Sequence, residues 1–316
     1  MNHEQYIQPL LTALHAAKRA GEAILEVYNS DFAVEHKDDH SPLTLADKRS
    51  HEIILNGLQQ TWSTNNKEPP LNNPLLPILS EEGKDIPYNE RKRWEYFWLV
   101  DPLDGTKEFI KRNGEFTVNI ALIRKDKPVL GCIYIPVQDC FYFAAVNIGA
   151  YMLVNSKIVS DDLTIKKLLD ASQGLPLSAN TRKSALPKNQ DIMEKHRALT
   201  IVGSRSHATQ ELSEFVDKIK ETSGEVAFIS AGSSLKFCLV AEGKADIYPR
   251  FGPTMEWDTA AGQAIVEQAQ GWVLDIPTKG PLTYNKNTLV NPFFLASGQG
   301  FPPSQLKSLL SCPDRT

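Results

Sequence analysis

The chain is poor in cysteine, has no long apolar run and carries little excess of either charge. Its four cysteines, Cys132, Cys140, Cys238 and Cys312, include no C-x-x-C pair, which argues against a disulfide-stapled scaffold and suits free, buried thiols in a reducing compartment. No segment approaches the roughly 20 consecutive apolar residues that an integral membrane helix needs. The 34 Lys and Arg against 38 Asp and Glu leave a net charge of −4 over 316 residues, too small an imbalance to call for nucleic acid or an anionic membrane as partner. With 41 % hydrophobic and 23 % charged residues, the composition is that of a soluble globular protein able to bury a sizeable core in one large domain or two. There is no internal repeat and no low-complexity tract. Neither G-x-x-x-x-G-K-[ST] nor a G-x-G-x-x-G after a strand occurs, so the common nucleotide loops are missing.

What is present begins with helical periodicity. Ile7, Leu10, Leu11, Leu14, Ala17, Ile24, Leu25 and Tyr28 recur near a helical period, and residues 45–58 repeat the pattern through Ile53, Ile54 and Leu58. Two helices therefore bracket residues 36–44, and the polar interruptions of the first stretch speak against a signal peptide. Residues 61–77, rich in Asn and Pro, read as a surface excursion. Residues 96–100 form a continuous apolar strand ending at Asp101, and residues 116–123, 129–135 and 141–146 follow at short spacing, predicting an antiparallel sheet. A boundary is placed within the polar, proline-interrupted residues 156–198, which contain a short helix near 165–169. It divides the chain into 1–155 and 156–316. Beyond it, strands at 199–202 and 225–229 alternate with helices at 210–219, 235–241 and 259–268, an α/β pattern.

The most informative stretch is Trp98-Leu99-Val100-Asp101-Pro102-Leu103-Asp104-Gly105-Thr106. A buried strand here delivers two carboxylates that can converge on hard cations, joined by the Leu103 carbonyl, while Pro102 stiffens the turn. Gly105 lets the backbone approach a phosphate closely. A helix opening at Thr106 would add an anion site beside the metals. Taken singly, an Asp-Gly pair is a turn signal. An EF-hand is excluded, because counting from Asp101 puts Thr106 and Arg112 where Gly and Glu are required. A covalent Asp-x-Asp-Gly-Thr loop is disfavoured by Pro102. Upstream stand Glu81 and Glu82; downstream, Glu256-Trp257-Asp258-Thr259 places Asp258 at a helix start. Alone, Asp258 reads as a helix N-cap and Glu81 as a solvated surface charge. Carboxylates about 4 Å apart repel by roughly 4 kcal/mol at an effective dielectric near 20, so a cluster of Glu81, Asp101, Asp104 and Asp258 calls for cations between them, with magnesium the economical choice for oxygen ligands. His36 and His40 lack a third ligand for zinc.

Four ordered motifs, Ser41-Pro42-Leu43-Thr44-Leu45-Ala46-Asp47, Glu81-Glu82, the block 101–123 and the stretch 232–262, resemble the lithium-sensitive, magnesium-dependent phosphomonoesterases that include inositol monophosphatase. The resemblance covers nearly the whole chain. It is strongest to the bacterial 3'(2'),5'-bisphosphate nucleotidases, because Asp104-Gly105-Thr106-Lys107-Glu108-Phe109 has Glu where inositol monophosphatases usually carry Asn before Phe. It implies an α/β fold, a layered αβαβα sandwich of the inositol monophosphatase and sugar phosphatase type. It further implies that Glu81, Asp101 and the Leu103 carbonyl hold one magnesium, that Asp101, Asp104 and Asp258 hold another, with two or three per active site, and that Thr106 and Asp47 orient the attacking water. Glu82 is the residue against which Glu81 is tested.

By the same resemblance, Gly105 and Thr106 amides meet phosphoryl oxygens, Ser204 and His207 belong to a nucleotide-side wall, and Ser234, Lys236 and Arg250 approach the substrate. Lys236 and Arg250 are candidates for a second phosphate; the alternatives are a solvated Lys236, an Arg250 paired with a surface carboxylate and an ordinary surface His207. The stretches 61–77 and 156–197 look longer than in relatives. The expectation is hydrolysis of adenosine 3',5'-bisphosphate, and of its sulfated analogue, to the 5'-nucleotide and phosphate, in sulfur metabolism. The protein would be a cytoplasmic monomer or homodimer, peripheral on the inner membrane's cytoplasmic face as for such relatives, with no nucleic-acid partner. Inositol monophosphate or fructose 1,6-bisphosphate hydrolysis is the rival reading, and a nucleotide-binding sensor without turnover is the rival of another class.

Overall fold

The computed structural model describes residues 3–31, 34–36, 42–60, 75–177, 198–204 and 209–301. Cys312, His40, Ser41, His207, residues 61–74 and residues 178–197 lie outside these. Helix α1 (Ile7–Tyr28) and helix α2 (Leu45–Gln60) follow the predicted stripes, with the antiparallel pair β1 (Val34–His36) and β2 (Pro42–Thr44) between them. Then come β3 (Ile78–Ser80), α3 (Tyr88–Arg91), β4 (Tyr96–Asp104), α4 (Thr106–Ile110), β5 (Thr117–Arg124), β6 (Lys127–Ile135), β7 (Cys140–Ala145), β8 (Gly149–Val154), α5 (Ile165–Ala171) and β9 (Gln173–Gly174). The second half holds β10 (Leu199–Ser204), α6 (Gln210–Ser223), β11 (Val226–Ala231), α7 (Leu235–Glu242), β12 (Ile247–Arg250), α8 (Glu256–Gln268), β13 (Trp272–Asp275) and β14 (Phe294–Ser297).

Among the described residues these strands make two sheets. One has seven strands in chain order from β3 to β9, antiparallel except that β3 runs parallel to β4. The other has five, ordered β11-β10-β12-β14-β13. The alternation of side chains along β4 divides two cores. Tyr96, Trp98 and Val100 face α1 and α2 with Leu10, Leu14, Ile24 and Ile54, while Phe97 and Leu99 face α7 and α8 with Phe237, Val240, Ala261 and Ile265. This is why residues 96–100 read as an unbroken apolar run, since helices cover the sheet on both faces. The far side of α7 and α8 meets Val202, Tyr248, Phe294 and Ala296 of the second sheet. That sheet's other face carries Leu199, Ile201, Ile247 and Leu295 against Phe215 and Ile219 of α6. The layers are therefore helix, sheet, helix, sheet, helix.

Helix α8 is enclosed between the two sheets, and its sequence shows it. Ala260, Ala261, Gly262, Ala264, Ile265 and Val266 are all buried, and even its polar residues Thr259 and Gln263 are buried, where both meet the Tyr284 hydroxyl. At Gly131 of β6 an added Cβ would stand 2.3 Å from the Ala261 carbonyl, and at Gly262 it would stand 2.4 Å from Phe237. Side chains are absent at both crossings because there is no room for them. Strand β4 runs on to Asp104, three residues past the predicted end. Strands β8, β9 and β12 to β14 went unread in the sequence because each is short and bounded by polar or glycine-bearing turns.

Candidate active site

Residues three apart on a regular strand point to opposite faces. Asp101 pairs with Asn119 and Asp104 with Thr117, so β4 has one more residue than β5 across this interval and its register shifts. The bulge returns Asp104 to the face of Asp101. Pro102, which has no N–H to lose, sits in the bulge, and its carbonyl accepts the Ser50 hydroxyl at 2.6 Å. The Leu103 amide donates to Asp101 Oδ1 at 3.1 Å.

Gly105 follows with φ of 93°, in the left-handed region, where a side chain would also press on the Glu115 carbonyl at 3.1 Å and on Ser233. Helix α4 begins one residue later and is anchored by Phe109, whose ring lies 5.2 Å from both Tyr28 and Phe116. The Thr106 hydroxyl donates to Asp47 Oδ1 at 3.2 Å and stands 3.4 Å from the Leu103 carbonyl. Asp47 is buried, and its other oxygen, Oδ2, accepts from the Thr44 amide at 2.8 Å and hydroxyl at 2.6 Å. Asp47 thus caps α2 with one oxygen and holds Thr106 with the other.

The second half closes on the same point. In the first turn of α8, Asp258 Oδ2 accepts the Met255 amide at 2.8 Å, so Asp258 is the third helical residue reaching back, and not itself the N-cap. The Ser234 hydroxyl stands 2.8 Å from both Asp104 Oδ2 and the Asp258 carbonyl and accepts from Asn119 Nδ2 at 3.0 Å. Asn119 is positioned in turn by the Thr117 hydroxyl at 2.9 Å. One serine at the foot of α7 therefore joins β4, β5 and α8.

The electrostatics follow from the crowding. Burial, then Glu81, Asp104 and Asp258 in turn, push the Asp101 carboxyl well above the usual carboxylate range. Burial and then Asp104 do the same to Asp258, with Glu81 adding to it and Arg250 opposing it. Glu81, not Glu82, acts on both. Among the described residues no three His, Cys, Asp or Glu side chains form a ready-made metal cage. The set is nevertheless all oxygen, and carboxylates that crowd a buried Asp101 in this way are all ionised together only with positive charge between them. Its donor chemistry fits a hard divalent cation.

An open cleft adjoins Asp104 and Asp258, lined also by Gly105, Ser204, Ser233, Ser234, Lys236 and Arg250 among others. Lys236 is not solvated as the simpler reading had it. It is 5 % exposed, lies 5.5 Å over the Tyr248 ring and donates to the Ser233 carbonyl. Burial lowers its pKa to about 8. Arg250 donates through Nη2 to the Pro253 carbonyl at 3.0 Å, and its buried Nε has no partner among the described residues. No ion pair to a carboxylate forms there among the described residues. His207 lies outside the described residues, as does His40; the backbone of His36 belongs to β1. Sequence reasoning missed Ser233, whose left-handed φ of 40° and buried, unpartnered hydroxyl face this cleft, and the positioning pair Thr117 and Asn119. The doubled serine after Gly232 was the available signal.

The inositol monophosphatase family matches residues 7–299 of this chain. The 3'(2'),5'-bisphosphate nucleotidase CysQ of Shigella flexneri is 42% identical over 285 residues, which span 89% of this chain and 96% of that protein. The protein of that name from Salmonella typhimurium is 42% identical over 281 residues, 88% of this chain and 95% of its own. A crystal structure of CysQ from Bacteroides thetaiotaomicron, 42% identical, superposes with a TM-score of 0.77 over 93% of this chain and 98% of that one. No helix among the described residues is long and apolar enough to cross a membrane.

Proposed function

Because the chain belongs to the inositol monophosphatase family, we propose that it removes the 3'-phosphate of adenosine 3',5'-bisphosphate, and of its sulfated analogue, releasing the 5'-nucleotide and phosphate. The observation that carries this reading is a single cleft lined both by carboxylates, Asp104 and Asp258, and by the cations Lys236 and Arg250. A ligand with two phosphates answers both demands, one phosphate meeting cations held by carboxylates and the other meeting fixed side-chain cations. The identity to CysQ proteins over 89% of the chain supports the same substrate.

Glu81, Asp101, Asp104, Asp258 and the Leu103 carbonyl are the groups that would hold magnesium, two or three ions per site. When bound, magnesium offsets phosphate charge, stabilises the leaving oxygen and makes water a better nucleophile. The chain's own residues do the rest. The Thr106 hydroxyl donates to Asp47 Oδ1, which leaves a Thr106 lone pair to accept a hydrogen bond from an attacking water; as that water gives its proton to Thr106, the Thr106 proton would pass to Asp47. With Oδ2 occupied by Thr44, Asp47 cannot turn away. Gly105 and Thr106 amides would meet phosphoryl oxygens, and Ser204, His207, Ser234, Lys236 and Arg250 would grip the remainder of the nucleotide. On this reading 1–155 supplies the carboxylate loop, 156–316 completes it, and the enzyme is cytoplasmic, in keeping with the free, buried Cys132, Cys140 and Cys238.

The test is phosphate release from adenosine 3',5'-bisphosphate, inositol 1-phosphate and fructose 1,6-bisphosphate in magnesium, for wild type and Asp104→Asn. Expected are preference for the nucleotide and a loss of at least about 100-fold in the variant, the scale of removing one electrostatic stabiliser. Preference for either of the other phosphates would overturn the assigned roles of Lys236 and Arg250. Binding of the nucleotide without turnover would replace the enzyme by a sensor.

A further inference from the structure

Glu256 is 0 % exposed, two residues before Asp258, and the chemistry proposed above gives it nothing to do. It is nonetheless fully engaged. Its Oε2 accepts the Asn285 amide at 2.6 Å; its Oε1 accepts the Lys286 amide at 3.0 Å and Lys286 Nζ at 2.6 Å. Lys286 Nζ also reaches the Thr283 carbonyl at 2.8 Å and Asn291 Oδ1 at 3.3 Å. An ion pair whose carboxylate is fully buried adds little net stability, because desolvation offsets the attraction. What it supplies is direction, since both Glu256 oxygens and all three Lys286 ammonium protons have partners.

The partners show where that direction leads. The loop 283–291 is held on its other side by Arg91, which is buried. Arg91 donates through Nη1 to Asn285 Oδ1 at 2.8 Å and the Lys286 carbonyl at 3.2 Å, and through Nε to the Ile86 carbonyl at 2.8 Å. Asn285 returns a bond to the Arg91 carbonyl at 2.8 Å. The same loop fixes the backbone ahead of α8, where the Glu256 amide donates to Leu289, the Asn291 amide to Thr254, and Asn291 Nδ2 to the Met255 carbonyl. Met255 then holds the Asp258 carboxylate through its amide. Hydrogen bonds therefore lead from the loop after Glu81, through Arg91, Asn285 and Glu256, to Lys286 and Asn291, and from there by the Met255 backbone to Asp258.

We propose that Glu256, clamped by Lys286 and the Asn285 backbone, is a positioning residue that sets the Asp258 carboxylate against the segment bearing Glu81, and so determines how tightly the carboxylate cluster takes a divalent cation. This rests on the metal-dependent reading above. Groups that orient metal ligands change affinity by about 10- to 100-fold when removed.

The experiment titrates magnesium chloride calorimetrically into the full chain as wild type, Glu256→Gln, Lys286→Met and Phe215→Leu, with thermal melts and steady-state kinetics alongside. Phe215 lies on α6 in the outer core, takes no part in the Glu256, Lys286 and Arg91 hydrogen bonds, and controls for destabilisation alone. Expected is magnesium binding weakened about 10- to 100-fold in Glu256→Gln and Lys286→Met. The KM for the nucleotide at saturating metal should stay unchanged, and Phe215→Leu should keep wild-type metal affinity despite a lower melting temperature. Lys286→Met serves if Glu256→Gln does not fold. Wild-type affinity in the folded clamp variants, or equal weakening in Phe215→Leu, overturns the positioning role. A wild type that neither binds magnesium nor releases phosphate overturns the functional reading itself, and this proposal with it.

Discussion

At Lys236 an ammonium is almost wholly buried at the lining of the cleft. Burial brings its pKa down from 10.5 to about 8, with Arg250 pushing the same way and Asp104, Glu108 and Asp258 opposing. The folded state therefore gives up this proton before the unfolded chain does. Between about pH 8 and 10.5 the unfolded state binds more protons, so this residue's contribution makes stability rise with pH across that window. Its effect on substrate capture runs the other way. The kcat/KM for the bisphosphate, which reports free-enzyme ionisations, should fall above an apparent pKa near 8, and Lys236→Met should be lower at neutral pH and lack that inflection. A wild-type profile with no inflection near 8 would remove Lys236 from the substrate's second phosphate. Neither the burial nor the lowered pKa was legible in Gly232-Ser233-Ser234-Leu235-Lys236. The burial depends on Tyr248, and the lowered pKa on that burial and on Arg250, both from other parts of the chain.

At the scale of elements, α8 matters most, because it carries Asp258 and is gripped by both sheets. Its helical character was readable from residues 259–268. Its enclosure was not, because a run of Ala and Gly has the same local pattern wherever the helix lies. The two glycine crossings give a graded expectation. Gly262→Ala drives a methyl against the buried Phe237 ring and should cost about 1–3 kcal/mol, as overpacking does, while Gly131→Ala meets the Ala261 carbonyl and should cost more because backbone yields less than a ring. Urea denaturation of the two variants checks the order; equal, negligible losses would mean that α8 is not seated this closely. The bulge in β4 is the other decisive element, since it alone brings Asp101 and Asp104 to one face.

For the molecule as a whole, the carboxylates converge from the loop after β3, from β4 and from α8, so folding itself concentrates negative charge. In chelator, Asp101→Asn should melt above wild type, because the substitution relieves burial and repulsion at the most crowded carboxyl. Added magnesium should then stabilise wild type by about 2.7 kcal/mol at a hundred times its dissociation constant and leave Asp101→Asn nearly unmoved; calorimetric melts in both conditions check the crossing. No magnesium effect on wild type would mean the cluster holds protons instead. By itself the sequence determined the helices α1 and α2, the doubly buried strand at 96–100 and the residue types of the cluster, because those signals come from neighbours within a few positions. Only the tertiary structure decided that Asp104 turns back to Asp101, that Thr106 meets Asp47, that Lys236 is buried and that Glu256 is clamped. Each of these depends on a partner tens of residues away or on a register shift against β5, and no local pattern encodes them.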